Sequence, residues 1–323
     1  MEDFDYLAPK TLKELSKEFK QGLISLETYS CTNIIKSGFD KLDGVIGGFQ
    51  PSNLILVGGA EGMGKTSFTI SLIRKMAIEK KCAIAFFSLK LTSSQVMARI
   101  VSQQTKIPAG KYRLDWLPSD EMDLVYKTTQ QTENSPLYVY DYPFLTVSDI
   151  EETLGFHPPD FVQCIVIDSL QLLANGKNDK AGKILNKREL ANSMFQLKKL
   201  ADKLNITILV TANFELVRKQ YTSRRPLLSD IRKYAPIDAY ADLVLLLYRP
   251  EYYKIEEWDD EQQSPASGEA EIIIAKNTNG VLGNVRVKFN GSLGLLMICH
   301  LGRIVKSKYL KYYIYNTHNH LTF

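Results

Sequence analysis

The sequence predicts an α/β fold with a mostly parallel, doubly wound sheet and a C-terminal β-hairpin extension. Five short runs are almost continuously apolar, as strands are when both faces of a sheet are covered. Helical patterns lie between those runs, and this alternation is typical of parallel sheets. A Gly-rich loop joins the first run to the first helix. The five predicted strands are residues 54–57, 83–88, 164–167, 206–211 and 243–248.

The segments between and after these strands complete the predicted order of elements. Residues 67–79, 93–104 and 188–204 carry the spacing of amphipathic helices. Two later apolar runs, 270–275 and 285–289, flank an Asn-Gly dipeptide. Because Asn-Gly is the strongest short hairpin signal, these runs are predicted to form a hairpin that extends the sheet.

The loop after the first predicted strand is a complete phosphate loop. Residues 59–66 read Gly-Ala-Glu-Gly-Met-Gly-Lys-Thr, with an apolar strand before them and a helix after them. Gly59, Gly62 and Gly64 let the backbone curl so that its N–H groups face phosphate oxygens. The helix that starts near Ser67 adds its N-terminal dipole to this anion site. The sequence therefore predicts that the chain binds a nucleoside triphosphate.

Two side chains of this loop and one carboxylate downstream predict how ATP and Mg²⁺ are held. Lys65 is expected to reach the β- and γ-phosphates, and the Thr66 hydroxyl is expected to hold Mg²⁺. Asp168 directly follows the apolar run 164–167. A carboxylate that ends a strand about a hundred residues after a phosphate loop is placed to orient the same ion. We therefore assign Thr66 and Asp168 to the metal.

The bulk composition limits the classes of protein that the chain can be. Its 323 residues include 45% hydrophobic and 24% charged residues, which excludes a disordered or fibrous chain. A net charge of +4 is too small to predict nucleic-acid binding without a local basic face. The acidic first residues show no signal-peptide pattern, and no apolar run approaches the roughly 20 residues that span a bilayer. We therefore expect a cytoplasmic protein with no membrane partner.

Several short blocks beyond the phosphate loop match one known family in type and in order. They are residues 37–43, 47–52, 87–89, 145–147, 165–172, 225–226, 229–232, 241–243, 248–249, 271–276, 279–280 and 289–291. With these blocks the chain resembles the C-terminal motor domain of DnaB-type replicative helicases, which belong to the RecA-like ATPases. The resemblance implies a RecA-like fold, a hexameric ring with ATP between subunits, and single-stranded DNA in the central channel.

The resemblance also divides the chain into three parts. Residues 36–292 correspond to the RecA-like motor domain, and the family's helical N-terminal collar is expected to be missing. Residues 1–35 are expected to be a linker with an amphipathic helix over 11–20, which packs on its own domain or docks on a neighbouring subunit. Residues 293–323 form a tail of unknown role. Two interpretations of this tail stand side by side, a final strand and a partner-binding segment.

Three departures from the family pattern fall on the chemistry of hydrolysis. The family has a water-activating glutamate, a γ-phosphate-sensing glutamine and a finger arginine where this chain has Lys90, Ala212 and Thr278. A lysine ammonium cannot accept a proton, so Lys90 cannot act as a base. Loss of an arginine finger alone can lower turnover by roughly 10³–10⁵. The resemblance assigns Lys276 to a catalytic contact with a neighbour's γ-phosphate.

The sequence leaves two functions open. The first is an ATP-driven 5′-to-3′ DNA helicase motor that acts in DNA replication, with other groups replacing the missing ones. The second is a hydrolysis-deficient nucleotide-binding relative that joins or regulates an active helicase, as in a mixed ring. The three departures together argue for binding without efficient turnover, whereas the intact phosphate loop fits both functions. Hydrolysis of ATP is therefore not assigned from the sequence.

Four basic residues are predicted to contact DNA. Arg232 and Lys233 lie in the segment that resembles the family's DNA-binding loop, where Lys233 replaces a usual acidic residue and Ala235 a usual glycine. Arg224 and Arg225 form a basic cluster just before that segment. Within a DnaB-like ring these side chains are expected to face the channel and contact phosphates of single-stranded DNA. Such binding depends strongly on salt and little on sequence.

Overall fold

The computed structural model describes residues 34–113, 117–158, 161–174, 185–215 and 224–298, together with five positions between 12 and 20. The chain separates into two units, residues 1–34 and residues 35–323. In the first unit the five described positions are helical and exposed, which agrees with the helix predicted over 11–20. The second unit holds the sheet and its surrounding helices.

Six parallel strands form the centre of the second unit. Their order across the sheet is β3-β2-β4-β5-β1-β6, so one strand separates β1 from β4. Most of these strands are buried along their whole length, as the continuous apolar runs predicted. The strands are β1 (Leu54–Gly59), β2 (Ile84–Ser88), β3 (Leu137–Tyr140), β4 (Cys164–Asp168), β5 (Thr207–Asn213) and β6 (Leu243–Tyr248).

Three antiparallel strands extend this sheet beyond β6. They are β7 (Glu269–Asn277), β8 (Gly283–Asn290) and β9 (Leu295–Ile298). The β7–β8 pair confirms the predicted hairpin, with the Asn-Gly dipeptide in its turn. Strand β9 pairs with β8, so residues 295–298 form a final strand, which is one of the two interpretations of the tail. The remaining tail, residues 299–323, lies outside the described residues.

Helices cover both faces of the sheet between consecutive strands. The three predicted helices are present with boundaries shifted by one or two residues, and the described residues of the second unit form four more. The second helix continues into a wider turn over Arg74–Glu79. The helices are α1 (Asp40–Ile46), α2 (Lys65–Ile73), α3 (Ser93–Thr105), α4 (Ser119–Thr132), α5 (Val147–Gly155), α6 (Lys187–Leu204) and α7 (Leu228–Tyr234). None of the helices in the described part of the chain is long and apolar enough to cross a membrane.

Local capping fixes where the helices next to the site begin. Thr92 accepts a hydrogen bond from the backbone N–H of Gln95, whose side chain accepts one in return from the backbone N–H of Thr92. This reciprocal pair satisfies two N–H groups that the first turn of α3 leaves without helical partners. Helix α3 therefore starts at a fixed point just after β2, and the short turn between them is held at both ends.

Candidate nucleotide site

The carboxyl ends of four neighbouring strands meet at one edge of the sheet. In the register of the sheet Gly59 at the end of β1 pairs with Asn213 at the end of β5. On the other side Ser88 at the end of β2 pairs with Asp168 at the end of β4. Ligands of open α/β sheets bind outside such strand ends. The phosphate loop therefore leaves β1 at the edge where the carboxylate of Asp168 lies.

A polar cleft opens at this edge, and we name it the phosphate cleft. It brings together the loop residues and the strand-end carboxylate that the sequence predicted to lie in one site. It also includes Lys90, the residue at the position of the family's catalytic glutamate. Its lining residues are Glu61, Gly62, Gly64, Lys65, Thr66, Ser67, Lys90, Asp168, Ser169 and Asn213.

Two glycines of the loop are required by the backbone that they adopt. Gly62 and Gly64 have φ angles of +79° and +87°, a region that side-chain-bearing residues rarely occupy. A Cβ atom at Gly62 would lie 2.4 Å from the ring of Tyr252. Gly64 is also the residue before α2, so the loop turns directly into the helix. The backbone N–H groups of the first turn of α2 are thereby left open toward the cleft.

Lys65 is almost buried beneath this loop. Its ammonium donates to the backbone oxygens of Gly59 at 2.8 Å and Ala60 at 2.7 Å. Burial lowers the pKa of Lys65 to about 8, against the favourable charge of Asp168 and with a further lowering by Lys90. The ammonium is therefore held at the base of the phosphate loop, where a bound phosphate would favour its charged form further.

The carboxylate of Asp168 is buried and oriented by its neighbours. It accepts a hydrogen bond of 2.5 Å from the Thr211 hydroxyl on β5, and its backbone oxygen accepts one of 2.9 Å from the N–H of Leu89. Oxygen ligands from one carboxylate and the Thr66 hydroxyl suit Mg²⁺, which keeps several waters and completes its shell with substrate phosphates. Within the described ranges no three His, Cys, Asp or Glu side chains converge, so an all-protein metal cage is not built there.

Strand β5 brings an amide into the cleft that the sequence analysis did not identify. Thr211 and Asn213 share one face of the strand, toward Asp168, while Ala212 lies on the other face and is fully buried. The Asn213 backbone is fixed by Gln171, which donates to its oxygen at 2.7 Å and accepts from its N–H at 3.2 Å. The predicted strand ended at residue 211, so this exposed amide two residues further on was missed.

Lys276 and Thr278 lie at the opposite end of the sheet from the phosphate loop. Asn277 pairs with Leu243, which in turn pairs with Ile55 near the start of β1. Lys276 pairs with Val244, which pairs with Leu56, so Lys276 lies roughly 10 Å along the strand direction from its own chain's Gly59. Its ammonium donates to the backbone oxygens of Asp238 at 2.9 Å and Ala239 at 3.3 Å. The structure does not bring Lys276 into the cleft of its own chain.

The four predicted DNA-contacting residues differ in their surroundings. Arg225 makes a two-point ion pair with the buried carboxylate of Glu271, at 2.7 Å and 3.0 Å. The exposed Arg232 donates to the buried Asp238 at 2.8 Å, and the exposed Lys233 follows it on α7. The Arg224 guanidinium lies 5.7 Å from the ring centre of Tyr253. Arg225 therefore has a role in holding the fold, whereas Arg232 and Lys233 present charge to solvent.

An arginine and an aromatic ring pack against the far side of the phosphate loop. The guanidinium of Arg249 donates to the backbone oxygen of Gly62 at 2.9 Å and lies 3.8 Å from the ring centre of Phe289. Phe289 comes from β8, and its ring lies beside Gly64. The antiparallel extension thus contributes to the phosphate loop. In the sequence Phe289 stood out only within a family block, without a place in the site.

Two solved structures share the architecture of this chain. A DnaB-like replicative helicase, solved in a study of its interactions with primase, superimposes with a TM-score of 0.73 over 91% of this chain and 68% of its own, at 23% identity. A solved ATPase domain superimposes with a TM-score of 0.74 over 91% of this chain and all of its own, also at 23% identity. These likenesses show the fold, and they confirm the predicted RecA-like architecture.

Relatives of known function are replicative helicases. The replicative DNA helicase DnaB of Haemophilus influenzae is 32% identical over 278 residues, or 83% of this chain and 56% of the relative. The DnaB of Geobacillus stearothermophilus is 30% identical over 256 residues, or 79% and 54%. The chain thus spans little more than half the length of these relatives. The model of the DnaB-like helicase C-terminal domain matches residues 34–296, and the chain belongs to that family.

Proposed function

We propose that the chain is an ATP-driven motor that acts on single-stranded DNA during replication, as a DnaB-like helicase domain. One observation carries the proposal: the buried Lys65, the Thr66 hydroxyl and the oriented Asp168 carboxylate face one cleft in a chain of this family. In this role Gly59, Gly62 and Gly64 shape the loop, and its N–H groups with those around Ser67 take the phosphates. Thr66 and Asp168 are the residues that would hold Mg²⁺, which neutralises charge on the phosphates when it is bound.

The groups that the family pattern predicts at positions 90 and 212 have chemical counterparts elsewhere in the cleft. Glu61 supplies an exposed carboxylate, and Asn213 supplies an exposed amide. In the proposed step water attacks the γ-phosphorus, the bond to the β-phosphate oxygen breaks, and ADP leaves with the electron pair. Glu61 accepts the proton of the water and Asn213 donates to a γ-phosphate oxygen. With these groups and replicative helicases as relatives, we favour the motor over the hydrolysis-deficient alternative.

The position of Lys276 supports a ring in which neighbouring subunits share a site. Because Lys276 lies at the end of the sheet away from its own phosphate cleft, it can act only on nucleotide bound by another copy. We propose a homo-hexameric ring in which Lys276 of one subunit contacts the γ-phosphate held by the next. A mixed ring with a related helicase is the alternative arrangement.

The proposed DNA surface is the exposed part of α7 and the residues before it. Arg232 and Lys233 lie side by side and exposed, and although Asp238 offsets part of the Arg232 charge, the pair suits phosphate contacts without base recognition. Arg224 is exposed nearby in sequence, and Arg225 supports it through the ion pair with Glu271. Each neutralised phosphate contact makes binding weaker as salt rises.

Fluorescence anisotropy of a labelled oligo-dT strand tests the nucleotide and DNA parts of the proposal together. We expect binding in the presence of Mg²⁺ and a non-hydrolysable ATP analogue, weaker binding without nucleotide, and loss of the nucleotide effect in Lys65→Ala. Lys233→Ala should weaken DNA binding by a few-fold and reduce the salt slope by about one. A DNA affinity that changes neither with Lys233→Ala nor with salt concentration would contradict the proposed DNA surface.

A second experiment separates the motor from the alternative. The Glu61→Gln and Asn213→Ala variants should each lower DNA-stimulated ATP turnover while leaving nucleotide affinity within about twofold, since both groups act in the reaction rather than in holding the inner phosphates. If wild type has no turnover and the triple variant Lys90→Glu, Ala212→Gln, Thr278→Arg gains it, the hydrolysis-deficient function is the correct one.

A further inference from the structure

Lys90 occupies a rigid turn at the edge of the phosphate cleft. The N–H of Leu89 donates to the backbone oxygen of Asp168 at 2.9 Å, and the Ser88 hydroxyl donates to the backbone oxygen of Leu91 at 2.7 Å. The reciprocal cap at Thr92 fixes the start of α3 directly afterwards. The backbone around Lys90 is therefore held in place, while its side chain is exposed and lines the cleft.

The two lysines of the cleft approach it from opposite ends. Lys65 follows β1 and Lys90 follows β2, and the ends of β5 and β4 lie between them. Neighbouring strands are about 4.8 Å apart, so three strand gaps separate β1 from β2 by roughly 14 Å. A nucleotide whose inner phosphates lie in the loop after β1 directs its terminal phosphate toward the ends of β5 and β4, and the long side chain of Lys90 reaches toward that phosphate from the other side. The inner phosphates would stay on the Lys65 side.

The charges around the cleft favour a cation at that far end. Two lysines and two carboxylates, Glu61 and Asp168, line it. The terminal phosphate carries the largest negative charge of the nucleotide, and a divalent cation held by Asp168 would offset only part of it. The electrostatic influence of Lys90 reaches the Lys65 ammonium, which places its charge within range of a phosphate bound there. An exposed lysine can donate to that phosphate with little cost of burial.

We propose that Lys90 is a triphosphate-specific ligand, whose ammonium binds the terminal phosphate of ATP held by the same subunit. The proposal rests on the proposed nucleotide-binding function and names a role for the residue that replaces the family's glutamate. ADP lacks the phosphate that Lys90 binds. Lys90 therefore raises the affinity of the cleft for ATP without raising its affinity for ADP. The chain would then bind ATP with higher affinity than a variant with a neutral residue at position 90.

Equilibrium binding of nucleotides to Lys90→Met tests this role. With Mg²⁺ and a non-hydrolysable ATP analogue, we expect the Kd to rise about 10- to 100-fold, as loss of a charge-assisted phosphate contact does. The Kd for ADP should change by less than about twofold. Lys80→Met is the matched control, because this exposed lysine lies fifteen residues after Lys65 at the far end of its helix and should change neither affinity.

Further variants make the outcome decisive. Lys90→Arg should keep most of the preference for the triphosphate, and Lys90→Glu should weaken triphosphate binding more than Lys90→Met does. Equal losses for ATP analogue and ADP in Lys90→Met, or no loss for either, would overturn the proposal. The Lys65→Ala variant reports separately on the proposed function: if it binds both nucleotides as wild type does, the phosphate loop itself is not the nucleotide site.

Discussion

The charge of Lys65 is coupled to its burial beneath the phosphate loop. Its ammonium bonds to the oxygens of Gly59 and Ala60, and burial lowers its pKa to about 8. A bound phosphate favours the protonated form and raises that pKa again. Binding therefore takes up protons when the pH lies above about 8, and affinity falls as the pH rises through that value.

This linkage predicts a pH dependence of nucleotide affinity. For ADP in the absence of divalent ions, the Kd should rise about tenfold between pH 7 and pH 9, because only the protonated Lys65 binds phosphate well. Titration calorimetry in buffers of different ionisation enthalpy measures both the Kd and the proton uptake. Lys65→Arg is the control, since its guanidinium stays charged and should give a flat profile. A wild-type Kd that is constant from pH 7 to pH 9 would refute the linkage.

The ion pair between Arg225 and Glu271 gives a second prediction at the residue scale. Glu271 is buried, so removing its charge leaves the Arg225 guanidinium without its two-point partner. Glu271→Gln should lower the free energy of unfolding by about 1–3 kcal/mol, less than for a fully buried pair because Arg225 is partly exposed. Urea denaturation measures the loss. The double variant Arg225→Met, Glu271→Met should lose less than the single one, and a larger loss would contradict the ion-pair account.

The sequence could predict the parts of the site that are contiguous in the chain. The phosphate loop needs its glycines, Lys65 and Thr66 at fixed spacing on one strand–loop–helix unit, so its pattern is visible directly. Asn213 could not be found in this way, because β5 continues two residues past the end of its apolar run. The pairing of Arg225 with Glu271 joins residues 46 positions apart, and only the fold brings them together.

At the scale of elements, a buried polar network joins α2, α3 and the C-terminal strand. The Gln103 side chain donates to the backbone oxygen of Gly294 at 2.6 Å and lies 3.2 Å from the Ser71 hydroxyl. That hydroxyl in turn accepts from the N–H of Leu296 on β9 at 3.2 Å. Since α2 begins inside the phosphate loop, the network fixes the turn before β9 against the helix that carries Lys65 and Thr66.

Removing the centre of this network should destabilise the fold. We expect Gln103→Leu to lower the free energy of unfolding by about 1–3 kcal/mol, because the partly buried backbone oxygen of Gly294 would lose its side-chain donor and the Ser71 hydroxyl would lose one of its contacts. Gln104→Leu is the matched control: its buried Oε1 has no hydrogen-bond partner among the described residues, so its removal should cost less. Equal effects of the two variants on urea denaturation would show that the network does not stabilise the fold.

The sheet was predictable wherever strands are covered on both faces. Strands β1, β2, β4, β5 and β6 read as apolar runs because helices cover both sides of them. Strand β3 was not predicted, since it is a four-residue edge strand that is only partly buried. Helices α1, α4, α5 and α7 were not predicted either, and three of them have nine residues or fewer, which gives few turns of periodic pattern.

At the scale of the whole molecule, the proposed role of Lys276 makes ATP turnover depend on assembly of the ring. Lys276 lies far from its own cleft, so the account requires a neighbouring copy for turnover. Light scattering with MgATP and single-stranded DNA should give a mass near six times the 36.6 kDa chain. Lys276→Ala should lower turnover at least tenfold with nucleotide affinity unchanged, as loss of a contact made only to the reacting phosphate does. A chain that stays monomeric yet hydrolyses ATP would exclude a shared site.

Steady-state hydrolysis of MgATP, with and without single-stranded DNA, tests the central claim most directly. We predict turnover that DNA stimulates and that Lys65→Ala abolishes, because the proposed function assigns phosphate binding to Lys65, which lines the cleft. Nucleotide binding measured in the same preparations shows whether the cleft is intact. Background turnover by a wild-type chain that binds MgATP and DNA would contradict the motor, and would make the chain a nucleotide-binding subunit of another helicase.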